Sequence, residues 1–336
     1  MVIKNEEVLL PDYLPETLPH REGQIKLLAE NLIPLSKHRK GINTFIYGPP
    51  GIGKTAVVKY VFRELSTTSP VKTIYLNCWD FNTSFAILTE ITIRLGLPVA
   101  RRGWAKDEIM QRLTEALEKL KTGVAVALDE VDQLIHKDQK ALYDLLRINQ
   151  YTSTPLTLVF VSNDRYIFSK VEPRIKSSLA LDEIEFRPYT FLEMKDIVEE
   201  RIRKAFTAVE PGVSALVASQ AIRSSDVRVA LDILLKAGRL AEKEGAKKLL
   251  VRHVKSVIVK NPKERIIYEN LSENEKIIYD ALTEPMSTKE LYEKLKESIS
   301  FTERAFRNYV NHMIESGAIE VVGMKDKARV VKRKEW

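Results

Sequence analysis

One stretch, Asn43 to Ala56, limits this chain more than any other. An apolar strand, Thr44-Phe45-Ile46-Tyr47, runs into Gly48-Pro49-Pro50-Gly51-Ile52-Gly53-Lys54-Thr55-Ala56. A glycine, four residues and then Gly-Lys-Thr at the opening of a helix is the phosphate-binding P-loop pattern. Glycines let the backbone close around phosphates, and N–H groups at a helix start point at the anion. Lys54 is spaced to reach β and γ phosphates, and Thr55 to place its hydroxyl on Mg²⁺. Taken alone, the same letters also fit a glycine-rich strand–helix turn.

A second half of the pattern follows downstream. Val124-Ala125-Val126-Ala127-Leu128 is an apolar strand ending in Asp129-Glu130. In a P-loop ATPase, Asp129 would hold Mg²⁺, mostly through water, and Glu130 would orient and polarise the attacking water. A buried strand capped by ordinary surface acids is the plainer alternative. Jointly, the two stretches predict an ATP or ADP site with Mg²⁺.

Composition narrows the class. The chain has 336 residues, enough for two or three cores. It contains no run of eighteen apolar residues, so no membrane span and no membrane partner are expected. The start, MVIKNEEVLLPDYLPETLPH, is acidic and proline-bearing, unlike a signal peptide. Cys78 is the single cysteine, which excludes an intrachain disulfide and favours a reducing compartment. Five histidines lie far apart, which argues against a zinc site. The net charge of +7 permits nucleic-acid binding without requiring it.

Strand and helix patterns alternate over the first two hundred residues. Strands are expected at Thr44–Tyr47, Lys72–Asn77, Val124–Leu128, Leu156–Ser162 and Glu183–Phe186. Helices are expected at Thr55–Leu65, Phe85–Leu95, Lys106–Leu120 and Gln139–Ile148. That alternation predicts an α/β core with a parallel sheet and helices on both faces. After Arg187-Pro188-Tyr189 only helical patterns remain, to about Val259, and Lys260-Asn261-Pro262-Lys263 reads as a linker. The chain thus divides into a core at 1–188, a helical part at 189–260 and a third part at 261–336.

The third part has the pattern of a winged helix. Three capping boxes, Ser272 with Glu275, Ser287 with Glu290 and Ser300 with Glu303, open helices near Glu273–Leu282, Thr288–Lys296 and Thr302–Glu315. On the last helix Phe306, Val310, Met313 and Ile314 share a core face, leaving Arg304, Arg307, Asn308, Asn311 and His312 on other faces. Arginine and asparagine pair bidentately with guanine and adenine edges. A hairpin follows, Ala318–Val322 and Ala328–Lys332 around a turn at Gly323–Asp326, carrying Lys325, Lys327 and Arg329 for phosphates or a minor groove. The alternative is a helical protein-docking domain with solvated charges, since acids and bases nearly balance over 260–336 and only the end from Arg304 is clearly basic.

Arg228 lies in the first turn of a helix expected at Asp226–Ala241. A cation there opposes the helix dipole by ~0.3–1 kcal/mol, so it needs an anionic neighbour. Asp232, four residues on, is one candidate.

The succession GPPGIGKT, VALDEVDQL and VFVSNDRY (Val159–Tyr166) resembles AAA+ ATPases. More specifically, the chain resembles the archaeal replication-initiator family, related to the eukaryotic origin-recognition and cell-division-control ATPases. The resemblance rests on Leu18-Pro19-His20-Arg21-Glu22, Leu76-Asn77-Cys78, Val171 to Leu179 (VEPRIKSSL) and Ser225-Asp226-Val227-Arg228. It implies an AAA+ core, a helical lid and a C-terminal winged helix over essentially the whole chain. By it Asn163 is the sensor that bonds γ-phosphate and water, the plain alternative being an Asx turn. Arg174 is an arginine finger offered to another initiator copy, or else a solvated arginine beside Glu172 in a surface loop. Arg228 senses the nucleotide from the lid. His20 and Arg21 line the adenine pocket, where the plain reading is a helix start. Ser225 replaces the family's usual glycine and is expected to cap the helix. The segment Trp79–Trp104 corresponds to an insert that touches DNA, with Arg101 and Arg102 its foremost candidates. Phe85, Leu88, Ile91 and Leu95 also read as a buried helical stripe.

The function implied is ATP-regulated recognition of double-stranded replication-origin DNA and help in loading the replicative helicase. It would run on slow, switch-like, Mg-dependent hydrolysis in a cytoplasmic, nucleoid-associated setting. Two alternatives are a fast loader or remodeller that reads no DNA sequence, and a DNA-binding regulator with an inert nucleotide site.

Overall fold

A computed structural model describes residues 1–100, 103–258, 270–282, 284–296, 301–325 and 328–334. They form two compact units, Met1–Val254 and Lys255–Trp336.

The first unit is built on a parallel sheet of β1 (Thr44–Tyr47), β2 (Lys72–Asn77), β3 (Val124–Asp129), β4 (Leu156–Ser162) and β5 (Asp182–Glu185), in the order β2-β3-β4-β1-β5. Every residue of β1, β3 and β4 is buried, as expected of parallel strands covered on both faces. Helices α1 (Glu22–Leu32), α2 (Lys54–Thr68), α3 (Ser84–Arg94), α4 (Lys106–Glu118), α5 (Val131–Lys137), α6 (Lys140–Arg147) and α7 (Pro173–Leu179) surround it. Strand β1 lies between β4 and β5, and β4 lies between β1 and β3. The ends of β1, β3 and β4 therefore open side by side, where ligands bind in open α/β sheets.

The expected strands are all present; β3 runs one residue further, to Asp129, and β5 is displaced by one residue at both ends. Phe186 hands its place to Asp182, although its N–H still donates to the Tyr47 carbonyl at 2.8 Å. Arg174 does not lie in a loop. It sits in the first turn of α7, because Pro173 takes the N1 position, where a missing N–H costs nothing.

Four helices form the lid, α8 (Phe191–Ala205), α9 (Val213–Ser224), α10 (Val227–Lys243) and α11 (Val251–Ile258). Thr190 and Glu193 close a capping box at the head of α8. Ser225 does not cap α10. Asp226 does, accepting from the Arg228 N–H at 2.8 Å, while Ser225 stands in the left-handed region at φ 53° and ends α9. Ser225 and Asp226 alone join α9 to α10, and the left-handed conformation at Ser225 is one that glycine adopts without steric cost.

The N-terminal residues, read with the core, pack on the lid. Glu242 of α10 accepts from the N–H groups of Val2 (2.9 Å) and Ile3 (3.0 Å). Lys4 N–H donates to Ala205 at 2.8 Å, and Arg239 pairs with Glu6. A Cβ on Gly238 would collide with Ile3 and Phe206, so α10 needs glycine where the strap crosses it. Arg201 reaches the Val8 carbonyl at 3.2 Å, and His20 bonds Asp196 at 3.1 Å. The strap then turns into α1, which belongs to the core.

The second unit contains α12 (Glu273–Ala281), α13 (Thr288–Leu295), α14 (Glu303–Glu315) and an antiparallel sheet of β6 (Met286–Ser287), β7 (Ile319–Lys325) and β8 (Ala328–Arg333), in the order β6-β8-β7. Ile278, Leu291, Phe306, Val310, Met313 and Val331 fill its core. The first two capping boxes form as expected. The third does not: Thr302 caps α14, accepting from Ala305, and Ser300 lies outside the described residues. Gly323 is not in the turn. Strand β7 runs on to Lys325, with a register shift between Val321 and Gly323 that absorbs one extra residue. The linker at 260–263 lies outside the described residues.

Candidate functional site

The P-loop wraps the end of β1. Gly53 opens α2 at φ +90°, and Gly51 stands at φ +72° with no room for a side chain, since a Cβ would lie 1.9 Å from Asp226 Cγ. Gly48 and Ile52 are buried, Pro49 and Pro50 are exposed, and Ala56 continues the first turn of α2 behind Thr55. Lys54 is 7% exposed and spends its ammonium hydrogens at 2.7 Å each on the carbonyls of Gly48 and Pro49 and on Asn163 Oδ1. Burial pulls it down to about 8, against the nearby charges of Glu130 and Asp129.

Asn163, at the end of β4, bridges. Its amide nitrogen donates to Glu130 Oε2 at 3.1 Å while its oxygen accepts from Lys54. It therefore links the lysine of one half-motif to the second acid of the other. An Asx turn does not form at Asn163 itself: Asp164 makes that turn to the Tyr166 N–H at 2.8 Å. Glu130 sits at φ 52°, a left-handed conformation that costs on the order of 1–3 kcal/mol and clusters at functional sites. Burial, then the charges of Asp129 and Asp132, push its carboxyl above the usual range.

Asp129 is 3% exposed. Its Oδ2 accepts from Thr55 Oγ1 and from Tyr75 Oη, each at 2.6 Å, and its Oδ1 accepts from the Glu130 N–H at 2.9 Å. Sequence reasoning did not single out Tyr75. Nothing along the chain marks it; only the pairing of β2 with β3 brings it to Asp129.

Arg21 lies behind the loop rather than on its open face. It is 5% exposed, donates to the carbonyls of Ile52 (3.1 Å) and Arg187 (3.0 Å), and stacks 3.8 Å over the Tyr189 ring. It thus ties the P-loop to the core–lid hinge, and His20 beside it bonds lid residue Asp196. From the lid, the Val227 N–H donates to the Gly51 carbonyl at 3.0 Å. Arg228 pairs with Asp226 Oδ1 at 3.3 Å and not with Asp232, which holds Lys236 at 2.6 Å. Arg174 is exposed and holds Glu172 at 2.6 Å.

The expected DNA-contacting residues fall into separate groups. Arg101, Arg102 and Lys327 lie outside the described residues. Leu88 and Ile91 are buried in the core, with Phe85, Leu95 and Trp104 packed against it. On α14, Arg304, Arg307, Asn308 and Asn311 are exposed. Asn311 accepts from Arg329 of β8 at 2.5 Å, joining helix and hairpin. Arg307 is paired with Glu303 and Lys325 with Glu290, each at 2.6 Å. The Lys325 hydrogen bond, followed by those at the Ser287 cap, holds Glu290 down to about 2. His312, on the same helix, bonds the buried Glu275 at 2.6 Å.

Among the described residues no helix is long and apolar enough to cross a membrane.

Comparison with known proteins gives consistent matches. Family models described as an AAA domain and as a Cdc6 AAA+ ATPase-type lid domain match residues 38–166 and 195–258. An ORC1-type DNA replication protein of Pyrococcus abyssi is 38% identical over 267 residues, which cover 75% of this chain and 64% of that protein, just under two thirds of its length. The ORC1-type DNA replication protein 1 of Sulfurisphaera tokodaii is 35% identical over 99% of this chain and 87% of its own. Among solved structures, the Aeropyrum pernix ORC1 protein in complex with DNA superimposes with a TM-score of 0.71 at 31% identity, covering 99% of this chain and 94% of that one.

Proposed function

Because this chain belongs to the archaeal ORC1-type family of DNA replication proteins, we propose that it is an ATP-regulated replication initiator. In this reading it binds double-stranded origin DNA and helps load the replicative helicase. The observation that carries the reading is the convergence of Lys54, Thr55, Asp129, Glu130 and Asn163 at one sheet edge, with lid helix α10 hydrogen-bonded to the P-loop.

The P-loop residues Gly48 to Ala56 cradle the nucleotide phosphates. Backbone N–H groups at the start of α2 and the Lys54 ammonium supply positive charge. Thr55 and Asp129 fit Mg²⁺, being hard oxygen donors on adjoining elements whose side chains touch at 2.6 Å. Once bound, the ion would offset charge on the β and γ phosphate oxygens. Glu130 accepts the proton of the attacking water, and Asn163, already bonded to Glu130, orients that water against the γ-phosphate. Arg228 reads the phosphates from the lid, and Arg174 serves the nucleotide of a neighbouring copy. Each must first leave a carboxylate, Asp226 for one and Glu172 for the other. Those pairs suit a slow switch that is completed by ligand or partner rather than a fast motor. His20 and Arg21 shape the nucleotide pocket through the backbone they hold, since the Arg21 guanidinium faces the Ile52 and Arg187 carbonyls.

The second unit is a winged helix. Helix α14 is the reading helix, with Arg304, Arg307, Asn308 and Asn311 outward, and the β7–β8 hairpin is the wing with Lys325, Lys327 and Arg329. The Asn311–Arg329 hydrogen bond supports a surface shared by helix and wing. Arg101 and Arg102 are proposed as a second DNA contact, in a cytoplasmic, nucleoid-associated protein.

Mapping bound DNA across the source genome, alongside replication start sites, tests the proposal. Enrichment at origins is expected. Enrichment elsewhere, with ATP turnover driven by a protein partner, would replace it with the loader reading.

A further inference from the structure

Asp129 is engaged on three sides. A carboxylate offers about four lone-pair positions, two on each oxygen. The Thr55 and Tyr75 hydroxyls occupy both positions of Oδ2 at 2.6 Å, and the Glu130 N–H takes one of Oδ1 at 2.9 Å. These O···O lengths belong to charge-assisted hydrogen bonds, roughly twice as strong as neutral ones. One position on Oδ1 is left.

Tyr75 is well placed to keep this arrangement. Its hydroxyl donates to Asp129 Oδ2 at 2.6 Å from the neighbouring strand β2, which pairs in register with β3. Its ring lies 4.8 Å from the Lys59 ammonium, and its carbonyl accepts from Arg94 at 2.6 Å, so both ends of the residue are anchored.

We propose that Tyr75 is a positioning residue for Mg²⁺: its phenol stops the Asp129 carboxylate from turning, so that the remaining Oδ1 lone pair faces the cation's water shell. The inference rests on the nucleotide-site reading above. Tyr75 touches neither nucleotide nor cation; it acts through Asp129. Outer-shell partners of this kind are worth about ten- to a hundredfold in metal affinity.

Tyr75→Phe removes one oxygen and keeps the ring. The test is titration of the 336-residue chain with a fluorescent ATP analogue, first in EDTA and then over a Mg²⁺ series. In EDTA the variant is expected to match the wild type within about twofold. The Mg²⁺ concentration that half-maximally tightens binding is expected to rise about tenfold. An unchanged Mg²⁺ midpoint, or an equal loss with and without Mg²⁺, would overturn the role and leave Tyr75 a packing residue. A wild-type chain that binds the analogue in neither condition would sink the nucleotide-site reading itself, before the variant enters.

Discussion

Val227 donates its backbone N–H to the carbonyl of Gly51 at 3.0 Å, so lid helix α10 begins on the P-loop itself. The neighbouring Asp226 carboxylate lies against the Gly51 Cα, where even a methyl group would not fit. Movement of the loop around a phosphate is therefore felt first at the head of α10. In the proposed reading, the lid would meet the nucleotide through this backbone contact as well as through Arg228.

Asp226 places a negative charge at the rim of the proposed phosphate site. Asparagine caps a helix as well as aspartate does, so Asp226→Asn keeps α10 intact. One unit charge about 4 Å away is worth roughly 4 kcal/mol at an effective dielectric near 20 and about 1 kcal/mol in bulk water, and this partly exposed, screened carboxylate lies toward the lower figure. ATP should bind several-fold tighter to the variant in a fluorescence titration. Equal or weaker binding would show that the carboxylate and the phosphates do not share a field.

Lys54 gives the site a pH dependence whose sign is set by burial. In the folded chain it titrates at about 8, below the usual lysine value. Below that pH it is already charged when phosphate arrives. Above it, binding must recruit a proton, so affinity for ATP should fall with rising pH by up to about tenfold per unit. Lys54→Ala should flatten the profile. The same shift affects folding: the unfolded chain holds the extra proton between about 8 and the ordinary lysine range, so this group's destabilising contribution shrinks as pH rises through that window.

Ser225 holds a left-handed backbone at φ 53° without being glycine. That conformation costs an L-residue roughly 1–2 kcal/mol. Ser225→Gly should raise the thermal midpoint by a few degrees, less the entropy glycine returns to the unfolded chain. Calorimetry decides, and a fall would place the strain elsewhere.

Arg304 and Arg329 are the proposed phosphate-reaching pair on helix and wing. Replacing both with Ala should weaken duplex binding and lower the slope of log affinity against log salt by about one for each phosphate no longer neutralised. An unchanged slope would favour a protein-docking role for the second unit.

The sheet was legible because β1 and β4 are largely apolar runs and β2 alternates buried Ile74 and Leu76 with less buried neighbours, and the ends of all three match the sequence reading. The P-loop and the Asp129-Glu130 pair were legible because their spacing is a chemical requirement. Helix α5 was not, since it starts from Glu130 in a left-handed conformation with no capping signal. Gly323 misled because glycine marks turns and bulged strands alike. Tyr75, Asp226 and the inward role of Arg21 depend on strand register and on the lid's approach, which no local pattern encodes. Asp232 is one candidate partner for Arg228 by helical spacing, but the capping Asp226 holds it and Asp232 holds Lys236.

The N-terminal strap has a mechanical consequence. The lid is joined to the core by the covalent hinge at Arg187–Tyr189, and again where residues 2–20 cross α8 and α10 before entering α1. A protease cut between Arg187 and Tyr189 alone would thus leave the fragments associated through the contacts of residues 2–20 with α8 and α10.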